Sequence, residues 1–153
     1  MSEIRYIKTT NADIELSMQI RLEMLREVNN LSDEYVYDEA FVADSRKYFE
    51  NGDQTTVLAL DDEKAVGCAS MSYIHIMPTF SHPTGTRGHL MNVYTKPEYR
   101  RKGISKKIVE MLIDDAREKG ATEISLDATE MGRPLYEVLG FEASDTAMVI
   151  NIK

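Results

Sequence analysis

Between residues 93 and 105 the chain reads Val93-Tyr94-Thr95-Lys96-Pro97-Glu98-Tyr99-Arg100-Arg101-Lys102-Gly103-Ile104-Ser105. Its first residues are β-branched or aromatic and complete a strand that starts at Leu90. A proline and a basic run lead into Gly103. From there Ile104, Ile108, Met111, Leu112 and Ala116 recur at helical spacing as far as Gly120. Strand, short basic turn and amphipathic helix therefore follow one another directly. Six basic residues (Lys96, Arg100, Arg101, Lys102, Lys106, Lys107) face one acid, Glu98, so residues 96–107 carry +5. Cations at a helix start oppose the helix macrodipole unless an anion sits there. Gly103 removes a side chain and Ser105 is small, so first-turn amides can approach phosphate oxygens. A solvated helix start explains the charge alone equally well; the position favours a small polyanion. The spacing is neither a Walker loop nor a dinucleotide fingerprint.

Outward from this unit the pattern is regular. Residues 3–9 predict a strand, and Asn11 offers an N-cap to a helix over 12–29 with Ile14, Met18, Leu22, Leu25 and Val28 on one face. A second helix carries Phe41, Val42, Ser45, Tyr48 and Phe49 and stops at Asn51-Gly52. Thr55 to Leu60 and Ala65 to Met77 predict an antiparallel hairpin, and 78–88 a loop. Further strands are predicted over Glu123 to Ala128, at Phe141 and over Met148 to Ile152, with a short helix from Pro134 to Leu139. The expected fold is α/β: a mixed, mostly antiparallel central sheet of six to seven strands flanked by about four helices.

The 153 residues suit one domain, taken as 1–153, and 42% hydrophobic residues suffice for a core. The net charge is −8, so everything outside the basic segment carries −13, which argues against a nucleic-acid partner. One cysteine excludes an internal disulfide framework and a multi-cysteine zinc site. No apolar run approaches the roughly 18 residues of a membrane span, and the N-terminus lacks a secretory pattern, so a cytoplasmic protein without membrane contact is expected.

The stretch from Val93 to Ser105 resembles the acyl-CoA signature of the GNAT superfamily of N-acetyltransferases, in which Gln/Arg-x-x-Gly-x-Gly/Ala follows a strand and a Pro-x-Tyr/Phe-Arg run. Leu135-Tyr136-Glu137-Val138-Leu139-Gly140-Phe141 resembles the second signature, in the same order. Ser105 departs from the usual Gly or Ala, and Thr129 and Gly132 stand where Asn and Ala are frequent. The resemblance implies splayed central strands, with acetyl-CoA as acetyl donor and direct transfer to a primary amine without a metal. It implies that Arg100, Arg101, Lys102, Gly103, Ile104, Ser105 and Lys106 hold the pyrophosphate. Val93, Tyr94 and Thr95 would bind the pantetheine, with Thr129 and Gly132 nearby. Tyr136 would protonate the thiolate, and the Val93 amide would hold the thioester oxygen. Packing of the short helix is the other reading of Tyr136. A homodimer is common in the family, and a non-catalytic acyl-CoA-binding regulatory module is the alternative function.

Protonated acceptor amines need a base. Asp127, Glu130 and Glu34 are candidates, each also readable as a solvated acid. His75, His82 and His89 fall seven residues apart, without metal-ligand spacing. Cys68 sits in an apolar strand and reads as a buried small residue. For the acceptor, Asn92, Arg21, His82 and Arg87 are the candidate contacts. Arg21 and Arg87 are the possible carboxylate clamps, Arg21 equally a solvated helix residue. The acceptor expected is a small molecule, an amino acid or similar amine, with a protein amino group the alternative.

Overall fold

The computed structural model describes residues 3–152. Its centre is the hairpin of β2 (Gln54–Asp61) and β3 (Lys64–His75), turned at Asp62, which takes a positive φ of 56°. Apolar residues occupy successive positions here, so side chains enter both faces, and Val57, Leu58 and Ala59 are fully buried. β1 (Ile4–Lys8) pairs antiparallel with β2. β4 (Thr86–Thr95) pairs antiparallel with β3, and β5 (Glu123–Ser125) pairs parallel with β4. Among the described residues the sheet order is β1-β2-β3-β4-β5.

Helices cover both faces. α1 (Ile14–Val28) sets Ile20 and Met24 against Leu58, Leu60, Ala65, Cys68 and Tyr94. α3 (Ile104–Glu118) sets Ile104, Ile108, Val109, Leu112 and Ala116 against Val57, Val66, Ala69, Met71 and Leu90. Each fully buried Ile, Leu, Val or Met among them contributes about 2 kcal/mol. α2 (Glu39–Asn51) packs beside α1, and the short α4 (Arg133–Val138) follows β5. Where α3 lands on the sheet, a Cβ on Gly67 would stand 2.9 Å from Ile104 Cγ2, so only glycine admits this approach.

Several boundaries differ from expectation. The cap at the first helical segment is Thr10, not Asn11: its hydroxyl accepts from the Ala12 amide and Asp13 returns the bond, a capping box. β4 starts at Thr86, inside the expected loop, because β3 continues to His75 and pairs with it there. Among the described residues the sheet has five strands rather than six to seven, with four α-helices as expected. β5 stops at Ser125 because its ladder with β4 ends there. Phe141 and Met148 to Ile152 enter no strand: Met148, Val149, Ile150 and Ile152 are 83–95% exposed and find no ladder partner in their own chain.

Candidate active site

The site begins where β4 leaves its neighbours. β4 and β5 pair only through Arg87–Glu123, Gly88–Ile124 and His89–Ser125. Beyond His89, β4 runs on to Thr95 with that edge unpaired. On its other edge the register against β3 slips: Cys68 faces Tyr94 and Ser70 faces Met91, so Asn92 and Val93 share one place opposite Ala69. Asn92 takes φ 61°, and the two observations define a bulge. Side-chain parity confirms it. Leu90 packs in the α3 cluster and Tyr94 in the α1 cluster, although four residues of regular strand would leave them on one face. The Cys68 thiol donates to the Asn92 carbonyl at 3.1 Å and fixes the bulge. Burial pushes that thiol up to about 12, so it stays protonated, which suits a packing role rather than a nucleophilic one.

Past the bulge the chain enters the basic turn. Arg101 (φ 64°) and Gly103 (φ 77°) both take left-handed backbone, giving a concave run of amides of the anion-binding kind. Helix α3 opens on Gly103 with no side-chain cap and no acid in its first turn. A Cβ on Gly103 would meet nothing within 4 Å, so the space over the helix end is open. Free first-turn amides, an open approach and the exposed Arg101, Lys102 and Lys106 fit a pyrophosphate. Ser105 Oγ instead ties α3 to β4 through Thr95 Oγ1 at 2.6 Å.

Arg100 is already engaged. Its Nε donates to the Thr95 carbonyl at 2.8 Å, its Nη2 meets Glu27 at 2.6 Å, and its guanidinium lies over the Tyr94 ring. Lys96 pairs with Glu23 at 3.5 Å. Two acids of α1 thus hold the back of the turn, while Arg101 and Lys106 stand outward and the Lys102 ammonium lies over the Tyr99 ring at 5.5 Å. The Tyr94 ring packs toward α1; burial first, then the charges of Glu27 and Glu23, raise its phenol. Only its backbone is left for the unpaired edge of β4.

Tyr136, on α4, is partly buried with its ring edge-on to Phe141 at 5.8 Å, and burial raises its phenol. It is therefore protonated at neutral pH, as a proton donor must be. Thr129 Oγ1 accepts from the Gly132 amide at 3.1 Å, and a Cβ on Gly132 would crowd the Tyr136 ring at 3.2 Å. Thr129 and Gly132 thus set the seat of Tyr136.

On the α1 and α2 face a cleft of about 420 Å³ opens beside the bulge, lined by Arg21, Phe41, Asp44, Tyr48, Met91 and Asn92, with Ser70 and Ser72 at its floor. Arg21 donates to Asn92 Oδ1 at 2.9 Å and lies over the Phe41 ring. Burial lowers its pKa, and among the described residues it forms no ion pair. Asp44 lines the cleft but is not ion-paired with Arg21, so this half-buried guanidinium can receive an anionic group.

The other acceptor candidates lie elsewhere. Arg87 is six residues from Val93 along β4, about 20 Å in extended chain. It holds Glu123 at 2.7 Å, and its buried Nε has no acceptor among the described residues. His82 joins the same group through Thr122 at 2.8 Å and Glu123 at 3.7 Å. His89 bonds Ser125 at 2.8 Å and stands 3.9 Å from Asp127. Glu34 and Glu130 are exposed, and His75 bonds Asp53. Among the described residues no three His, Cys, Asp or Glu side chains group as metal ligands, and no helix is long and apolar enough to cross a membrane.

Phe41, Asp44, Tyr48, Ser70, Ser72 and Met91 were not legible as site residues. Phe41 and Tyr48 lie on the side of α2 that the sequence offers for packing, yet α2 buries no residue, and these two stay 39% and 42% exposed and wall the cleft. A signal existed in β3, where Ser70 and Ser72 put two hydroxyls on one face of an otherwise apolar strand. Tyr48 donates to Ser72 there at 2.7 Å.

The acetyltransferase (GNAT) family matches residues 22–141. A glucosamine 6-phosphate N-acetyltransferase of Trypanosoma brucei brucei is 34% identical over 89 residues, which span 58% of this chain and 58% of that protein's own length. A glucosamine 6-phosphate N-acetyltransferase of Arabidopsis thaliana is 26% identical over 74% of this chain and 76% of that protein. The crystal structure of a predicted acetyltransferase with acetyl-CoA from Clostridium acetobutylicum superposes with a TM-score of 0.84 at 26% identity, covering 97% of this chain and 96% of that one.

Proposed function

From a chain that belongs to the GNAT acetyltransferase family, we infer an N-acetyltransferase that moves the acetyl group of acetyl-CoA directly to the primary amine of a small anionic molecule. The observation that carries the acceptor class is Arg21, a half-buried cation without an acid partner, facing a cleft that touches the β4 bulge. The relatives named for glucosamine 6-phosphate, an amine that bears a phosphate, support the same class.

Acetyl-CoA supplies an activated thioester. The chain's own residues then act as follows. Backbone amides of residues 101–106 and the side chains of Arg101, Lys102 and Lys106 receive the pyrophosphate, with Arg100 shaping the turn behind them. The unpaired edge of β4 from Val93 to Thr95 binds the pantetheine arm, and the Val93 amide donates to the thioester oxygen as negative charge develops on it. Arg21 holds the anionic group of the acceptor, Asn92 orients it, and Asp44 faces its ammonium. The acceptor ammonium first gives one proton to water and becomes the neutral amine; as the new C–N bond forms and the C–S bond breaks, Tyr136 gives its proton to the departing sulfur, and the second proton lost by the nitrogen restores the Tyr136 phenol. His89, 3.9 Å from Asp127, is the group we assign to relay the proton released to water. Arg87 and His82 brace the start of β5 rather than enter the cleft. A cytoplasmic place of action belongs to this reading and suits a chain whose one thiol is free and buried.

Thermal unfolding with rising acetyl-CoA, against ADP and a linear polyphosphate, tests the donor. Thiol release with glucosamine 6-phosphate, glucosamine, free amino acids and polyamines then tests the acceptor. Stabilisation specific to acetyl-CoA and turnover confined to anionic amines are expected. Stabilisation without turnover on any amine would leave a non-catalytic acyl-CoA-binding module. Equal turnover on neutral amines would overturn the role of Arg21.

A further inference from the structure

The cleft beside the β4 bulge carries one cation and one acid that do not meet. Arg21 and Asp44 both line it, and among the described residues no ion pair joins them or engages either one. Opposite charges left apart across a small cleft are satisfied together by a ligand that bears both. Arg21 also fixes where the negative end of that ligand lies. Its Nη1 donates to Asn92 Oδ1 at 2.9 Å, and Asn92 precedes Val93, whose amide receives the thioester oxygen in the reading above. An anion on Arg21 therefore lies beside the reacting centre and not at the far end of the cleft. An α-amino acid meets this condition, because its carboxylate and amine share one carbon. A sugar phosphate holds the two groups on opposite sides of its ring.

The remaining walls decide what else that carbon bears. Phe41, Tyr48, Phe49 and Met91 supply most of them. The hydroxyl protons near the floor are already committed. Thr56 gives its proton to Gln54 Oε1 at 2.5 Å, so the Ser70 hydroxyl, 2.6 Å away, donates to Thr56. Tyr48 donates to Ser72 at 2.7 Å, and Ser72 donates to Met91 Sδ at 3.5 Å. A hydroxyl has one proton, so Ser70, Ser72 and Tyr48 have none to offer a ligand. Polar groups of a ligand would lose water here and gain few donors in return, a cost that an apolar side chain avoids.

We propose that the acceptor is an α-amino acid with an apolar side chain: Arg21 takes its carboxylate, Asp44 attracts its ammonium, and Phe41, Tyr48, Phe49 and Met91 surround the side chain. The inference rests on the acetyl-transfer reading and names the acceptor class of the same site. Once the ammonium has given one proton to water, the neutral nitrogen bonds the acetyl carbon as the C–S bond breaks. The sulfur leaves as the thiol with the Tyr136 proton, and the second proton of the nitrogen restores that phenol. The products are an N-acetyl amino acid and CoA. Acetylation removes the positive charge that Asp44 attracts, so the product is held less tightly than the substrate.

Thiol release on the full chain compares phenylalanine, leucine and methionine with serine and aspartate, with phenylethylamine, which lacks the carboxylate, and with glucosamine 6-phosphate. A kcat/KM for the three apolar amino acids about tenfold or more above all the other amines is expected. Serine or aspartate at the level of phenylalanine, or glucosamine 6-phosphate above it, overturns the apolar α-amino acid and leaves acetyl transfer to an amine with an anionic group in place. Phenylethylamine at that level overturns the inference together with the role of Arg21. Thermal unfolding with CoA and either N-acetylphenylalanine or N-acetylserine reads the ligand class without turnover. If no amine turns over, stabilisation by N-acetylphenylalanine alone upholds the ligand class while the acetyl-transfer reading fails; its absence overturns both. Asp44 is exposed on α2, so Asp44→Asn keeps the fold. This variant should raise the KM for phenylalanine about tenfold and weaken N-acetylphenylalanine, which has no ammonium, by less. An equal loss of both ligands would overturn the pairing of Asp44 with the ammonium.

Discussion

Tyr136 shows how the seat of one side chain sets its chemistry. Burial raises its phenol, so the proton is available to a departing thiolate throughout the neutral range. Tyr136→Phe keeps the ring against Phe141 and removes only the proton; turnover should fall about a hundredfold at unchanged acetyl-CoA affinity, measured by thiol release and calorimetry. Arg21→Ala should raise the KM for an anionic acceptor about 10- to 100-fold and leave the donor's binding unmoved, as steady-state kinetics with each substrate varied will show. Away from the site, Asp115 is the buried charge that matters most for stability. Burial opposes its ionisation, but the Tyr73 hydroxyl at 2.5 Å, Lys8 at 2.9 Å and Lys119 at 3.2 Å outweigh this and hold its carboxyl below the usual range. A depressed folded-state pKa stabilises above the unfolded value of about 3.9, and the contribution is lost as pH falls below it. Asp115→Asn should cost about 2–3 kcal/mol at pH 7 by urea unfolding, and the difference between variant and parent should shrink below pH 4.

Two elements make the site, and each does so through a local departure from regularity. The bulge at Asn92-Val93 turns β4 so that the Tyr94 ring seals the α1 core while the edge from Val93 to Thr95 stays unpaired. The N-terminus of α3 is left uncapped, which is a cost in an empty protein and an advantage once an anion arrives. Gly103 carries the left-handed turn into that helix. Gly103→Ala has room for its methyl group, so its effect is conformational, about 1–2 kcal/mol. Acetyl-CoA affinity should fall about tenfold by calorimetry, with the acceptor's KM unchanged.

At the scale of the whole molecule the charge is divided: +5 over residues 96–107 and −13 elsewhere. The local positive end draws a small polyanion, and the surrounding negative field repels a long one. Raising the salt from 50 to 500 mM should therefore weaken acetyl-CoA binding several-fold, whereas duplex DNA should not compete for the site at any salt, as a fluorescence displacement titration can follow. The same division explains the internal neutralisation of Lys96 and Arg100 by Glu23 and Glu27, while Arg101 and Lys106 face outward.

What the sequence by itself determined are the features written in local periodicity and composition: the β2–β3 hairpin, the core face of α3, the glycine and the basic run at the α3 start, and the buried state of Cys68; the face of α1 was not among them, since Ile20 and Met24 enter the core while Val28 is 62% exposed. Each follows from residues within about a dozen positions of one another. The tertiary structure alone decided the rest. The bulge depends on how β4 meets β3, and the early end of β5 depends on how β4 leaves it. Meeting of Arg21 with Asn92, 71 positions apart, requires α1 to lie across the sheet. The composition of 148–152 predicts a strand, and the structure forms none there. A strand, however, is stable only beside a neighbour, and which neighbour it takes is a property of the folded surface rather than of the segment.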